Sequence, residues 1–70
     1  MRVSFEKGTR YYSLEIDRDF FDWVVFKQFG GMGMKNGHRC SVPFDNYPSA
    51  KKYFDAECAR RLKRGYTESV

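Results

Sequence analysis

The hydrophobic pattern of this chain changes its period at Pro48, and this change limits the fold more than any other feature. Before Pro48, the segment "RYYSLEID" alternates apolar and polar residues and places Tyr12, Leu14 and Ile16 on one side. A period of two is typical of a half-buried strand. After Pro48, apolar residues recur at threes and fours, which indicates an amphipathic helix. This order predicts an α+β fold, in which one C-terminal helix covers a small antiparallel sheet.

Two further segments before Pro48 have strand character. The stretch "WVVFKQF", residues 23–29, is rich in β-branched and aromatic side chains and suits a central strand. Asn36 and Gly37 form a strong hairpin signal, because a type I′ turn needs positive φ at both central residues. The returning strand is then "HRCSVPF", and Pro43 indicates a free edge, since proline cannot donate to a ladder. We expect three to five strands, with a charged turn at "DRDFFD".

The facing of Phe29 in this hairpin has two alternatives. With an unbroken register about the predicted turn, Phe29 opposes Phe44 and is a core ring. A bulge at Gly30 or Gly31 would instead turn the ring to the open face of the sheet. Both strands are apolar on both faces, so the sequence leaves this choice open. An apolar open face would itself favour a protein partner.

The helix is expected over residues 50–64, with Ser49 as its N-cap and Gly65 ending it in a left-handed conformation. Tyr66 is then expected to fold back on the last turn. Glu57 and Arg61 are spaced four apart in the order that favours an ion pair. The predicted apolar stripe of the helix consists of Ala50, Tyr53, Phe54, Cys58 and Leu62.

The glycine-rich stretch "FKQFGGMGMKNGHRC" has two interpretations, a phosphate-binding loop or a hairpin. A phosphate-binding loop needs GxxxxGK followed by Ser or Thr, between a strand and a helix. The stretch lacks this spacing, and the residues after it have the pattern of a turn and a strand. The hairpin is therefore favoured, with the glycines permitting a bulge or a close approach of backbones.

Length and charge favour one domain with an anionic partner. The chain has 70 residues, which we expect to form a single domain over residues 1–70. Thirteen lysines and arginines stand against nine acidic residues, giving a net charge of +4. Such a balance suits nucleic acid. It is also common in small intracellular domains, where it supports solubility.

The cysteines and the single histidine give little support to catalysis. Cys40 and Cys58 form no CxxC pair, and His38 is the one histidine, so a zinc site lacks ligands. His38 and Cys40 share a strand face, but a third group to orient such a pair is missing. We expect a non-enzymatic protein without metal, cofactor or small-molecule substrate.

Localisation is expected to be cytoplasmic, with no membrane association. No signal sequence is recognised, and the longest apolar run, "WVVF", is far too short to span a membrane. In this compartment Cys40 and Cys58 are expected to be reduced, to form no disulfide and to resist thiol reagents until unfolding.

The stretch around the hairpin resembles a known family. "FGGMG" is an aromatic-Gly-x-aliphatic-Gly run, preceded by "YYSLEIDRDFFDWVVFKQ" and followed by "PF" and "YPSAKKYFDAECARRLKRGY". Over residues 10–66 this order is similar to the WGR domain, as found in short bacterial proteins and in poly(ADP-ribose) polymerases. The name-giving triplet is degraded here, because Phe29 stands for the Trp, Gly30 matches and Gly31 replaces the Arg.

The resemblance implies a non-enzymatic module that helps to bind nucleic acid, as the domain in the polymerases contacts broken DNA and neighbouring domains. Phe29 keeps a ring that can stack on a sugar or base, whereas Gly31 supplies no guanidinium for phosphate. Cations could neutralise phosphates while rings stack on bases. We predict weak, sequence-independent binding of nucleic acid, with DNA in first place. The candidate residues are Lys27, Phe29, Gly31, Lys35, Arg39, Arg60, Lys63 and Arg64.

Two alternatives to this prediction remain open. The helix cations also fit a solvated surface, with arginines well placed at the negative end of the helix. The chain as a whole could be a protein-interaction module, or a regulatory partner of a larger protein, that binds no nucleic acid. The sequence indicates neither the partner nor the oligomeric state.

Overall fold

The computed structural model describes residues 1–33 and 37–69, which form a five-stranded antiparallel sheet with one helix packed on one face. The elements are β1 (Arg2–Lys7), β2 (Arg10–Arg18), β3 (Trp23–Gly31), β4 (His38–Phe44), α1 (Tyr47–Lys63) and β5 (Thr67–Ser69). The sheet order is β4-β3-β2-β1-β5. The predicted α+β class is confirmed, and β1 and β5 complete the sheet beyond the strands that the pattern indicated.

The core lies between α1 and the face of the sheet that carries the alternating residues of β2. As predicted, Tyr12, Leu14 and Ile16 are buried on this face. Burial of each large apolar side chain contributes about 1.5–3 kcal/mol, so this small cluster supplies most of the driving force for folding. Its buried members are Phe5, Tyr12, Leu14, Ile16, Val25, Ala50 and Phe54.

The β3–β4 hairpin has a different register from the predicted one. Phe29 pairs with His38, and Phe44 pairs with Trp23, whereas a two-residue turn would have paired Phe29 with Phe44. The predicted register is wrong because the connection between the strands is longer than two residues; Asn36 itself lies outside the described residues. The shift is an even number of positions, so each side chain keeps its predicted face. β4 is an edge strand, as its proline indicated.

Phe29 faces α1, which decides between the two alternatives for its ring. The β2–β3 ladder runs without interruption from the Arg10–Gly31 pair to the Arg18–Trp23 pair, so no bulge interrupts it. The glycines instead permit a close approach, since a Cβ on Gly30 would lie 3.2 Å from the Cα of Gly37. A side chain there would force two neighbouring backbones apart.

α1 begins at Tyr47 rather than at residue 50, and Asn46 rather than Ser49 is its N-cap. The Asn46 Oδ1 accepts a hydrogen bond from the Ser49 N–H at 2.9 Å. Pro48 lies in the first turn, where the N–H that it lacks would have no helical partner. The sequence pattern predicts a helix start that is too late, because Pro48 also suits the end of a strand.

The C-terminal end of α1 is the predicted one, but its buried face is not. Gly65 has φ +91°, and the Tyr66 N–H donates to the Arg61 carbonyl at 3.0 Å, which closes the last turn. Leu62 is 54% exposed, so its assignment to the apolar stripe is wrong. Glu57 and Arg61 are buried in this part of the helix instead.

Candidate functional site

An open groove lies at the end of the sheet where β1 turns into β2 and where α1 ends. It holds about 660 Å³, which is within the range of ordinary ligand pockets. Four of the residues that line it are cations and none is acidic. We name it the basic groove, and its lining residues are Lys7, Gly8, Thr9, Arg10, Arg61, Arg64 and Tyr66.

The β1–β2 turn and the end of α1 hold these cations together. Lys7 and Arg10 pair across the turn, where Gly8 has φ +59°. The Lys7 Nζ donates to the Arg64 carbonyl at 2.7 Å, joining the turn to the helix end. This contact places positive charge at the negative end of the helix, where it stabilises the fold. One of the four cations therefore also has a structural role.

Arg61 is the buried member of the basic groove, with 9% of its surface exposed. Its guanidinium carbon lies 4.3 Å from the centroid of the Tyr12 ring and 5.7 Å from that of Tyr66. Glu57 lies 3.9 Å away and balances the buried charge. The Arg61 Nε is buried and has no hydrogen-bond partner among the described residues.

A second groove continues from the first across the end of β3, and the two share Thr9, Arg10 and Tyr66. The Phe29 ring is stacked here between Tyr12 and His38, with centroid separations of 5.3 Å on both sides. We name it the aromatic groove. Besides the shared residues it is lined by Tyr11, Phe29, Gly30, Gly31 and His38. Cations beside exposed ring edges are typical of surfaces that bind single nucleic-acid strands.

The structure brings some of the sequence-predicted residues to this end of the sheet. Phe29 and Gly31 line the aromatic groove, and Arg64 lines the basic groove. Arg60 and Lys63 lie with Arg64 on a separate, shallow surface of α1. Pattern analysis missed Lys7, Arg10 and Tyr66, because nothing local indicates that residues so far apart in the chain will meet.

Lys27 and Arg39, two other candidates, lie on opposite faces of the sheet. The Lys27 Nζ donates to the Tyr53 hydroxyl at 2.8 Å and lies 4.0 Å from a Glu57 oxygen. The hydrogen bond to Tyr53 is the main reason that the pKa of Lys27 is raised. Arg39 covers the Phe26 ring on the open face, with 5.7 Å from guanidinium carbon to centroid. Lys35, the remaining candidate, lies outside the described residues.

The open face of the sheet is largely polar. Arg2 and Arg39 lie there among a larger number of carboxylates, those of Glu6, Glu15 and Asp17. Pairing across β1 and β2 places Arg2 opposite Glu15, so the positive charge is locally balanced. The open face therefore attracts an anionic partner less than the basic groove does.

The two thiols are free, as predicted, but they differ in exposure. Cys40 is exposed on the edge strand, which removes the burial on which its expected resistance to thiol reagents rested. Cys58 is half-buried, and burial raises the pKa of its thiol.

Metal-binding and membrane-spanning features are both absent from residues 1–33 and 37–69. No three His, Cys, Asp or Glu side chains in these ranges cluster closely enough to hold a metal ion. α1 is neither long enough nor apolar enough to cross a membrane.

Comparison with known proteins supports the resemblance seen in the sequence. The chain matches the family model of the WGR domain over residues 2–70, which includes β1 and β5 as well as the predicted segment. No curated protein and no solved structure gives a significant match. The matched region covers almost the whole chain. The chain therefore belongs to the WGR domain family.

Proposed function

We propose that this WGR domain binds nucleic acid weakly and without sequence preference, through the basic groove and the adjoining aromatic groove. The observation that carries the proposal is the meeting of four cations in one groove that no carboxylate lines. Phosphates attract such a cluster irrespective of base sequence. Base-specific contacts usually come from a helix that enters a groove of the DNA. In the described residues, α1 packs along its length against the sheet and is not placed to act as such a recognition helix.

Some of the cations outside the basic groove form ion pairs with carboxylates. Lys51 forms an ion pair with Asp55 at 2.6 Å, and Arg60 lies 3.6 Å from a Glu57 oxygen. In the basic groove, Arg10 and Arg64 are exposed and line a surface without acidic neighbours. Their charge is therefore accessible to a phosphate backbone.

The rings beside these cations have different roles in the proposal. Phe29 is packed between the rings of Tyr12 and His38, so its role is to hold the wall of the aromatic groove in place. Tyr66 belongs to both grooves and stands next to the cations, so it is the ring best placed to stack on a sugar or base. His38 stacks on Phe29, a packing role that accords with a non-enzymatic module.

The test is an anisotropy titration of short single- and double-stranded oligonucleotides at several salt concentrations. With three or four phosphates neutralised, the log–log salt slope for duplex DNA is expected to be about −2.7 to −3.6. The double variant R10A/R64A should bind more weakly, with a slope shallower by about 1.8. The matched control R2A/R39A loses the same charge from the open face and should keep the wild-type slope.

Equal weakening in the two double variants would contradict the assignment of the groove. Absence of binding to any oligonucleotide at low salt would contradict the nucleic-acid function itself. The alternative, a protein-interaction module, would then take first place. One observation favours it: Phe20 and Phe21 are 90% and 91% exposed.

A further inference from the structure

The turn between β2 and β3 presents two adjacent phenylalanine side chains to solvent. Phe20 and Phe21 are 90% and 91% exposed, although the turn itself is well closed. The Asp19 N–H donates to the Asp22 carbonyl at 2.8 Å, and the Asp19 Oδ1 accepts from the Phe20 N–H at 2.8 Å. We name residues 19–22 the phenylalanine tip. Apolar surface concentrated in this way marks a contact site.

The charges around the phenylalanine tip restrict what it can contact. Asp17, Asp19 and Asp22 provide three carboxylates. Arg18 is the cation among them, and its guanidinium carbon lies 5.7 Å from the Trp23 ring centroid. An acidic rim around an apolar centre repels phosphate-rich surfaces, including nucleic acid and anionic lipid. It fits a surface that combines rings with cations.

The grooves at the other end of the sheet have this complementary composition. The basic groove supplies Lys7, Arg10 and Arg64 for the carboxylates, and the aromatic groove supplies the rings of Tyr66 and His38. Aromatic side chains that enter a site of this kind commonly carry most of the affinity of an interface.

The phenylalanine tip cannot reach the grooves of its own molecule. Arg10 begins β2 beside the basic groove, and Arg18 ends the same strand beside the tip. At about 3.3 Å per residue, the nine-residue strand separates them by about 26 Å. A contact between tip and grooves must therefore join two molecules.

We propose that the phenylalanine tip of one copy docks into the basic and aromatic grooves of a second copy. The two surfaces differ, so the contact is heterologous, and each dimer keeps one free tip and one free set of grooves. Further copies can add at both ends, which gives head-to-tail chains. The interface is small, so its dissociation constant is expected to be weak, on the order of 0.1–1 mM.

The test is sedimentation of the wild-type chain and of two complementary variants, from micromolar to millimolar protein. F20S/F21S removes the tip and keeps the grooves, whereas R10A/R64A weakens the grooves and keeps the tip. The wild type should form species larger than a dimer at the highest concentration. Each variant alone should remain monomeric, and an equimolar mixture should stop at the dimer. R2A/R39A, which has the same charge loss on the open face, should associate like the wild type.

Three results would overturn the proposal: a wild type that stays monomeric at millimolar concentration, a tip variant that still associates, or a variant mixture that stays monomeric. Far-ultraviolet circular dichroism of each variant establishes that it is folded. The phenylalanine tip would instead be assigned to a lipid surface if the wild type stays monomeric and sediments with phosphatidylcholine vesicles while F20S/F21S does not. The experiment contains no nucleic acid, so its outcome is independent of the function proposed for the grooves.

Discussion

Replacing Lys27 with alanine should destabilise the fold rather than remove a surface contact. The Lys27 side chain is 19% exposed and donates a hydrogen bond to Tyr53, and a hydrogen bond to a charged group contributes about 1.5–3 kcal/mol. Its loss also leaves the buried Glu57 carboxylate with two cations, Arg60 at 3.6 Å and Arg61 at 3.9 Å. Removing one partner of a buried pair costs about 3–5 kcal/mol when no other partner remains. With two cations remaining, we expect K27A to lower the free energy of unfolding by about 2–4 kcal/mol in total.

Trp23 provides the signal for this measurement, because it is the one tryptophan and packs edge-on against Tyr47, with centroids 4.9 Å apart. Urea unfolding followed by its fluorescence gives the free energy directly. A domain of this size has a total stability of about 4–10 kcal/mol, so the expected loss is a large fraction. Lys51→Ala, which breaks the exposed pair with Asp55, is the matched control and should leave the midpoint nearly unchanged. Equal midpoints for the two variants would refute the structural role of Lys27.

Three further predictions concern packing, thiol exposure and pH. Phe29→Ala should lower the free energy of unfolding by about 2–4 kcal/mol in urea titrations, because the ring is stacked on two others at the core; an unchanged midpoint would contradict this. After a short exposure to a thiol reagent, mass spectrometry should find Cys40 modified and Cys58 largely unmodified. The Cys58 thiol is half-buried, and burial raises its pKa; modification of Cys58 before Cys40 would contradict the structure. The folded chain raises the pKa of Tyr12, mainly by burial, and that of Lys27, mainly through the hydrogen bond to Tyr53, above their ordinary values of 10.0 and 10.5. The folded state therefore holds these protons more tightly, so stability should be full below about pH 10 and should fall as the pH rises further; urea midpoints that do not fall would contradict it.

The strands and the fold class follow from local pattern, because side-chain alternation reports directly on which face is buried. β2 is the clearest case, since Tyr12, Leu14 and Ile16 all face α1 as their spacing indicates. Register depends instead on turn length, and the Asn36-Gly37 signal suggested a shorter connection than the β3–β4 pairing allows. The predicted start of the helix differs from the observed one because Asn46 and Ser49 are both good N-cap residues. Local sequence does not distinguish them, whereas the structure shows that Asn46 is the cap.

The candidate site was harder to predict than the fold, because it joins segments that are distant in sequence. Lys7 and Arg64 are 57 positions apart, and no periodicity links them. Arg61 is counted as polar in any hydrophobic pattern, yet it is buried because two rings and Glu57 compensate its charge. Conversely, lysine is usually a surface residue, but Lys27 lies between the sheet and the helix, where it contacts Tyr53 and Glu57. Charge counted along the sequence thus does not indicate which cations meet in the folded domain.

The most direct test of the proposed interface is the map of backbone amide shifts on titration with a short DNA duplex at low salt. We predict the largest shifts at residues 7–10, 29–31 and 61–66, which form the basic and aromatic grooves. The residues whose side chains lie on the open face should change little; these are Ser13, Glu15, Phe26, Gln28, Arg39 and Ser41. Shifts concentrated on the open face would contradict the proposed interface, and an unchanged spectrum would contradict nucleic-acid binding altogether.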